Sequence, residues 1–84
     1  MTYYFFVCRS LTYAQNAQRT LERSNITAFV TRAPQTITID GCGYCVKVPG
    51  RHFIKALETL KNTEIYPKNV FALYDDGSYF EVDI

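Results

Sequence analysis

At 84 residues, with 48% hydrophobic residues, the chain can build one globular domain over residues 1–84 but not two cores. A formal net charge of +1 gives no basis for nucleic-acid binding, and no apolar run approaches the roughly 20 residues that a membrane span needs. Three cysteines are an odd number, which suits a reducing, cytoplasmic compartment better than a secreted disulfide framework.

The N-terminal half predicts a strand, a helix and a second strand. Tyr3–Cys8 is a continuous β-prone run, typical of a strand buried on both faces. The next segment, RSLTYAQNAQRTLERSN, has small and apolar residues at helical spacing, with Ser10 or Thr12 available as N-cap. Residues 26–31 predict the second strand, which Pro34 closes because proline cannot donate a hydrogen bond to a neighbouring strand.

The C-terminal half predicts a third strand, a second helix and a final pair of strands. The segments are 44–48, 51–62, 70–74 and 79–82. In the third strand Cys45 and Lys47 face away from the other three side chains, because successive residues of a strand alternate between faces. The sequence DDGS, before the last strand, is typical of a hairpin turn.

This order of elements, βαββαβ followed by a hairpin strand, defines a fold class. Two right-handed strand–helix–strand units around a central connection give an antiparallel sheet with both helices on one face. The sequence therefore predicts an α+β, ferredoxin-like sandwich with an extra C-terminal strand. In that arrangement the first and third strands lie side by side in the centre.

The predicted topology brings the three thiols to one end of the sheet. Strands one and three run antiparallel, so Cys8, which ends the first, lies near Cys42 and Cys45, which begin the third. The first helix starts there too, and backbone N–H groups at a helix N-terminus lower the pKa of a thiol. Arg9 adds positive charge. We expect any chemistry at this end.

The pair Cys42 and Cys45 has C-x-x-C spacing, but it leads into a strand rather than a helix. Three extended residues span about 10 Å, beyond the roughly 7 Å between Cα atoms that a disulfide tolerates. Gly41 and Gly43 could bend the segment, so a dithiol stays open as a minor alternative. On the simplest interpretation Cys8 and Cys45 are small buried residues. Cys42, flanked by both glycines, is expected to be exposed and functional.

A zinc site is the weaker alternative. Structural zinc needs four nitrogen or sulfur ligands, and the chain offers three cysteines plus His52, which lies on the second predicted helix. Motifs for phosphate binding, metalloprotease activity or serine hydrolysis are missing from the sequence. We therefore expect neither a metal nor a cofactor.

The segment from VCRSLTYAQ to GCGYCVKV resembles a small bacterial family of selenium/sulfur carrier-like proteins. The pattern is a strand ending before S-x-T, a helix with small residues and leucine, a strand with R-x-P, and a glycine–cysteine step that opens the next strand. The likeness runs from about Tyr3 to Leu73. The matching positions are Ser10, Thr12, Ala14, Leu21, Ile26, Arg32, Pro34, Gly41 and Cys42.

The resemblance implies a carrier that holds sulfur or selenium on Cys42 as a persulfide or selenopersulfide and passes it between a donor and an acceptor protein. Such a protein is a co-substrate rather than a stand-alone enzyme. Cys45 has no counterpart that the family pattern requires.

A second hypothesis is a ferredoxin-like module that binds a small ligand or another protein and has no chemistry of its own. The thirteen aromatic residues exceed what one core of this size hides. We therefore expect a homodimer, formed through the aromatic sheet face or the terminal hairpin.

Overall fold

The computed structural model describes residues 2–37 and 43–83. Within these ranges the chain forms two α-helices and one five-stranded sheet, which confirms the predicted α+β, ferredoxin-like fold with an extra strand. The elements, in chain order, are β1 (Tyr3–Cys8), α1 (Leu11–Arg23), β2 (Phe29–Arg32), β3 (Tyr44–Pro49), α2 (Phe53–Asn62), β4 (Asn69–Leu73) and β5 (Tyr79–Val82). Short 3-10 turns precede β3 at Gln35–Ile37 and α2 at Gly50–His52.

The strands are ordered β2-β3-β1-β4-β5, and every neighbouring pair is antiparallel. The first and third strands are adjacent, as predicted, with Cys8 opposite Tyr44 and Val7 opposite Cys45. β1 is therefore the central strand, and its C-terminal end meets the beginning of β3.

Both helices pack on one face of the sheet. Their small and leucine side chains, such as Ala17 and Leu60, join a buried cluster with Phe6, Val46 and Val70 of the strands. Small residues let the helices approach the sheet closely, while the large strand side chains fill the space between. This cluster is the main hydrophobic core.

The opposite sheet face has its own smaller cluster. Phe5, Val7 and Cys45 are buried there together with Ile37 from the turn before β3. Since both helices lie on the other side, the connection between β2 and β3 supplies part of the cover for this face.

The second strand begins later than predicted, at Phe29 instead of Ile26. The reason is the end of α1, where Asn25 has a φ of 63° and the N–H groups of Asn25 and Ile26 bond to the carbonyls of Glu22 and Leu21. These are the two hydrogen bonds of a Schellman motif, which ends a helix and buries the residue after it. Ile26 therefore belongs to the helix end rather than to the sheet.

The predicted turn at DDGS joins β4 to β5. Gly77 has a φ of 87°, and its N–H bonds to the carbonyl of Tyr74 at 3.0 Å. The carboxylate of Asp76 accepts a hydrogen bond from the N–H of Ser78 at 2.9 Å, which lowers the pKa of Asp76. The hairpin thus has the turn chemistry that its sequence indicates. In the described part of the chain, neither helix has the length and apolar character to span a membrane.

Candidate functional site

The candidate site is the end of the sheet where β1 stops and β3 starts. Gly43 is the described residue directly before β3. Its carbonyl accepts a hydrogen bond from the N–H of Ala33 at 3.0 Å. A Cβ built on Gly43 would lie 3.9 Å from the carbonyl oxygen of Cys8. Gly43 is therefore held between the ends of β1 and β2. The predicted site residues Gly41 and Cys42 lie outside the described residues.

Cys8 is buried at this end, as expected, with 3% of its surface exposed. It belongs to the cluster under the helices, and its thiol donates a weak hydrogen bond to the carbonyl of Phe6 at 3.5 Å. Burial raises the pKa of Cys8 to about 11, an effect that the nearby Arg9 only partly offsets. At pH 7 roughly one Cys8 thiol in ten thousand is then ionised, so its sulfur is a weak nucleophile.

Cys45 is fully buried and lies on the opposite sheet face, in the cluster with Phe5 and Ile37. The predicted alternation along β3 is thereby confirmed. Burial, and secondarily the neighbouring Cys8, raise the pKa of Cys45 to about 12. A thiol in this state neither attacks a disulfide nor binds a metal readily, because both reactions require the thiolate.

The first turn of α1 carries the predicted cap. Ser10 has an extended backbone, and its hydroxyl oxygen accepts a hydrogen bond from the N–H of Tyr13 at 3.1 Å. Of the two N-cap candidates, Ser10 therefore holds the position. Thr12 lies inside the first turn and is exposed. The start of the helix thus lies directly beyond the buried Cys8.

Two arginines give this end of the sheet positive charge. Arg9 is exposed, and its guanidinium carbon lies 4.9 Å from the centre of the Tyr13 ring. Arg32, which is also exposed, lies opposite Tyr44 in the pairing of β2 with β3, with its guanidinium carbon 5.8 Å from that ring. Cation–π contacts of this kind orient a flexible arginine without neutralising its charge.

Tyr13 and Tyr44 are the residues of this site that sequence reasoning missed. Tyr44 lies opposite both Cys8 and Arg32, so it joins the three strand ends. The hydroxyl of Tyr13 accepts a hydrogen bond from the N–H of Tyr66 at 2.8 Å, which fixes the segment before β4 against α1. The sequence signal for Tyr13 is its spacing from Arg9, four residues earlier at the start of a helix, which is typical of two side chains in contact.

The described residues give no support to the zinc alternative. Across residues 2–37 and 43–83, no three histidine, cysteine or acidic side chains are grouped as metal ligands. His52 lies just after Pro49, which pairs with Tyr3 at the start of β1, and Cys8 is at the other end of that strand. Five residues of β-strand separate these ends by about 17 Å.

Fold and site together define a small ferredoxin-like α+β domain. Its two buried thiols, Cys8 and Cys45, lie beside an exposed basic corner that Arg9 and Arg32 form. The model of the family described as "Putative Se/S carrier protein-like" matches residues 3–72, and the chain belongs to this family. The match ends within β4, so β5 lies beyond it. Neither a curated protein nor a solved structure matches the chain.

Proposed function

We propose that this protein carries sulfane sulfur or selenium on Cys42 and passes it from a donor protein to an acceptor protein. The family gives the carrier role in general terms. The observation that supports Cys42 as the working thiol is the state of the other two cysteines. Cys8 and Cys45 are buried, and their pKa values are raised to about 11 and about 12.

The transfer needs one thiolate and no external oxidant. The Cys42 thiolate attacks the outer sulfur of a donor persulfide, a new S–S bond forms on Cys42, and the donor S–S bond breaks to release the donor thiolate. The outer sulfur keeps its proton, so atoms, charge and electrons balance. The acceptor thiolate then attacks the same sulfur, and Cys42 leaves as a thiolate. A selenopersulfide follows the same sequence with selenium as the outer atom.

The basic corner supports this chemistry. Gly43 precedes β3 and is held next to the carbonyl of Cys8, and Arg9 and Arg32 flank the same strand ends. Nearby cations favour the thiolate over the thiol. In this proposal the two arginines stabilise the Cys42 thiolate before loading and the anionic leaving thiolate after transfer. Gly41 and Gly43 flank the proposed thiol in the sequence without side chains, and in this proposal Cys45 takes no part.

The proposed partners are therefore a donor and an acceptor that carry thiols or persulfides, and the carrier itself is proposed to be a homodimer. A cytoplasmic setting belongs to the proposal, because a working thiolate and an odd number of cysteines suit a reducing compartment.

Mass spectrometry of the protein isolated without reductant tests the role directly. A persulfide adds about 32 Da and a selenopersulfide about 80 Da, and peptide mapping is expected to find the adduct on Cys42. The adduct should disappear after dithiothreitol and be lacking in Cys42→Ser. Loading that survives Cys42→Ser with the fold intact would contradict the proposal.

The alternative is a binding module without its own chemistry. It is supported by exposed aromatic side chains such as Phe29, Tyr66 and Phe80, which are 52%, 55% and 57% exposed. A native protein in which no cysteine reacts with a persulfide donor would favour this alternative over the carrier.

A further inference from the structure

The sheet face opposite the helices carries a row of side chains that crosses all five strands at one level. In each pair of neighbouring strands, the members of this row lie directly opposite each other, so their side chains share one face. In the order of the strands the row is Phe29, Lys47, Phe5, Phe71 and Glu81. It has a cation on β3, two aromatic rings in the centre and an anion on β5.

Lys47 and Glu81 do not meet within one chain. Three strand spacings separate their backbones, about 14 Å. The Lys47 ammonium lies 4.2 Å from the centre of the Tyr3 ring, and the Glu81 carboxylate accepts a hydrogen bond from the side-chain amide of Asn69 at 3.0 Å. The Lys47 ammonium thus leans over Tyr3 and over Phe5, 6.0 Å from the centre of the Phe5 ring, whereas the Glu81 carboxylate is held on the β5 side; both charges face a partner above the sheet.

We propose that this face binds a second copy of the chain, sheet against sheet, about a two-fold axis that runs parallel to the strands between β1 and β4. This rotation exchanges β3 with β5 and β1 with β4, so it maps four members of the row onto one another in reverse order and leaves Phe29, on the edge strand β2, outside the contact. It places Lys47 over Glu81 of the second copy, and Glu81 over Lys47 of the second copy. At the centre, Phe71 of each copy lies over Phe5 of the other; Phe5 is itself buried, so the half-buried Phe71 supplies the apolar surface there. A two-fold interface requires such self-complementarity, and an acid and a base placed symmetrically about the axis provide it.

The neighbouring row supports the same axis. Tyr3 lies opposite Pro49 and Leu73, and Leu73 lies opposite Tyr79. The rotation places Tyr3 over Leu73 and Tyr79 over Pro49 of the second copy, so that every contact is apolar or aromatic. Tyr3, Leu73 and Tyr79 are half-buried in the single chain, and so retain apolar surface that a dimer would cover. Face-to-face packing of two twisted sheets in near alignment is a common arrangement.

Charge argues against the other expected surface, the terminal hairpin. A symmetric contact through β5 and its turn would bring two copies of Asp75, Asp76, Glu81 and Asp83 together. Like charges across an interface are unfavourable, whereas the sheet face pairs opposite charges. This inference goes beyond the carrier role and does not depend on Cys42.

A charge-reversal cycle tests the interface, with sedimentation equilibrium used to measure the dimer dissociation constant. Lys47→Glu places two acids opposite each other at both symmetric positions, and Glu81→Lys places two bases there. Each single variant is expected to raise the dissociation constant at least tenfold. The double variant restores opposite charges and is expected to return the constant to within about threefold of the original.

Glu58→Lys is the matched control, because Glu58 is exposed on α2, on the other side of the sheet. It should leave the dimer unchanged, and circular dichroism checks that each variant is folded. If Lys47→Glu does not fold, Glu81→Lys on the exposed edge strand decides alone. The inference is overturned by a wild-type monomer at 100 micromolar, by folded single variants that dimerise like wild type, or by a folded double variant that stays weakened.

Discussion

Cys8 lies opposite Tyr44 where β1 meets β3, and its side chain points under the helices while that of Cys45, one residue along β3, lies on the other sheet face. The alternation of the strands thus separates two thiols that are close in space. Each is enclosed by apolar side chains, and burial raises the pKa of both. The alternation of side chains in a regular sheet is therefore sufficient to bury both thiols and make them unreactive.

The first prediction is the order in which the cysteines are alkylated. Iodoacetamide near pH 7 should label Cys42 in the folded protein and leave Cys8 and Cys45 unmodified, because alkylation requires an accessible thiolate. Peptide mapping measures the extent at each site. In denaturant all three should react at similar rates, which is the control for intrinsic reactivity. Equal labelling of Cys42 and Cys45 in the folded state would instead support a dithiol site.

Matched substitutions extend that test to function. Cys42→Ser should abolish persulfide loading, while Cys45→Ala should leave most of it, since the buried Cys45 takes no part in the proposed transfer. Loss of loading in both variants, with both folded, would show that the two thiols act together.

A second prediction concerns stability at alkaline pH. Both buried thiols have pKa values above their ordinary 9.0, at about 11 for Cys8 and about 12 for Cys45. The unfolded chain therefore releases these protons first as the pH rises. Their contribution is constant below about pH 9, and above it the free energy of unfolding falls by up to about 1.4 kcal/mol per pH unit for each thiol.

Urea denaturation between pH 7 and pH 11 measures this slope. The Cys8→Ala, Cys45→Ala double variant keeps every tyrosine and lysine and serves as the control. Its alkaline loss of stability should be shallower than that of the wild type. Parallel curves would mean that the thiols are accessible to solvent in the folded protein.

Much of this fold follows from local sequence patterns. The bounds of β1 and the alternation of β3 were predicted, and the N-cap of α1 was narrowed to Ser10 or Thr12, because each depends on residues close together in the chain. The late start of β2 was not, since it depends on Asn25 adopting a left-handed conformation and drawing Ile26 to the helix end.

The site was less predictable than the fold. The burial of Cys45 and the position of the Arg32 side chain depend on residues that are distant in sequence. Ile37 packs in the same cluster as Phe5, and Tyr44 contacts Arg32. Strand order brings these residues together, and no local pattern encodes which ring an arginine will contact. The role of Cys42 stays a prediction.

A third prediction uses the end of α2. Glu64 has a φ of 59°, and the N–H of Ile65 bonds to the carbonyl of Leu60 at 2.9 Å, as in a Schellman motif. Glycine adopts this backbone conformation without a Cβ penalty. Glu64→Gly should therefore stabilise the protein by about 0.5–1 kcal/mol, a rise of several degrees in Tm. Asn25→Gly is the matched control and should gain less, because asparagine tolerates the left-handed region. A loss of stability in Glu64→Gly would show that the Glu64 side chain makes a stabilising contact.

The last prediction tests the basic corner. If Arg9 and Arg32 stabilise a thiolate, Arg9→Gln with Arg32→Gln should raise the pKa of the reactive cysteine, so that alkylation at pH 7 slows by roughly twofold to fivefold. The pH dependence of the alkylation rate separates this effect from a change in access, since lost charge moves the midpoint whereas reduced access lowers the plateau. Salt should slow the wild type more than the double variant, because both arginines are exposed and their field is screened.

The control is Lys55→Gln with Arg51→Gln. It removes the same charge near the start of α2, at the opposite end of β1, and should leave the midpoint unchanged. An unshifted midpoint in the Arg9 and Arg32 double variant would mean that these two side chains do not stabilise the thiolate.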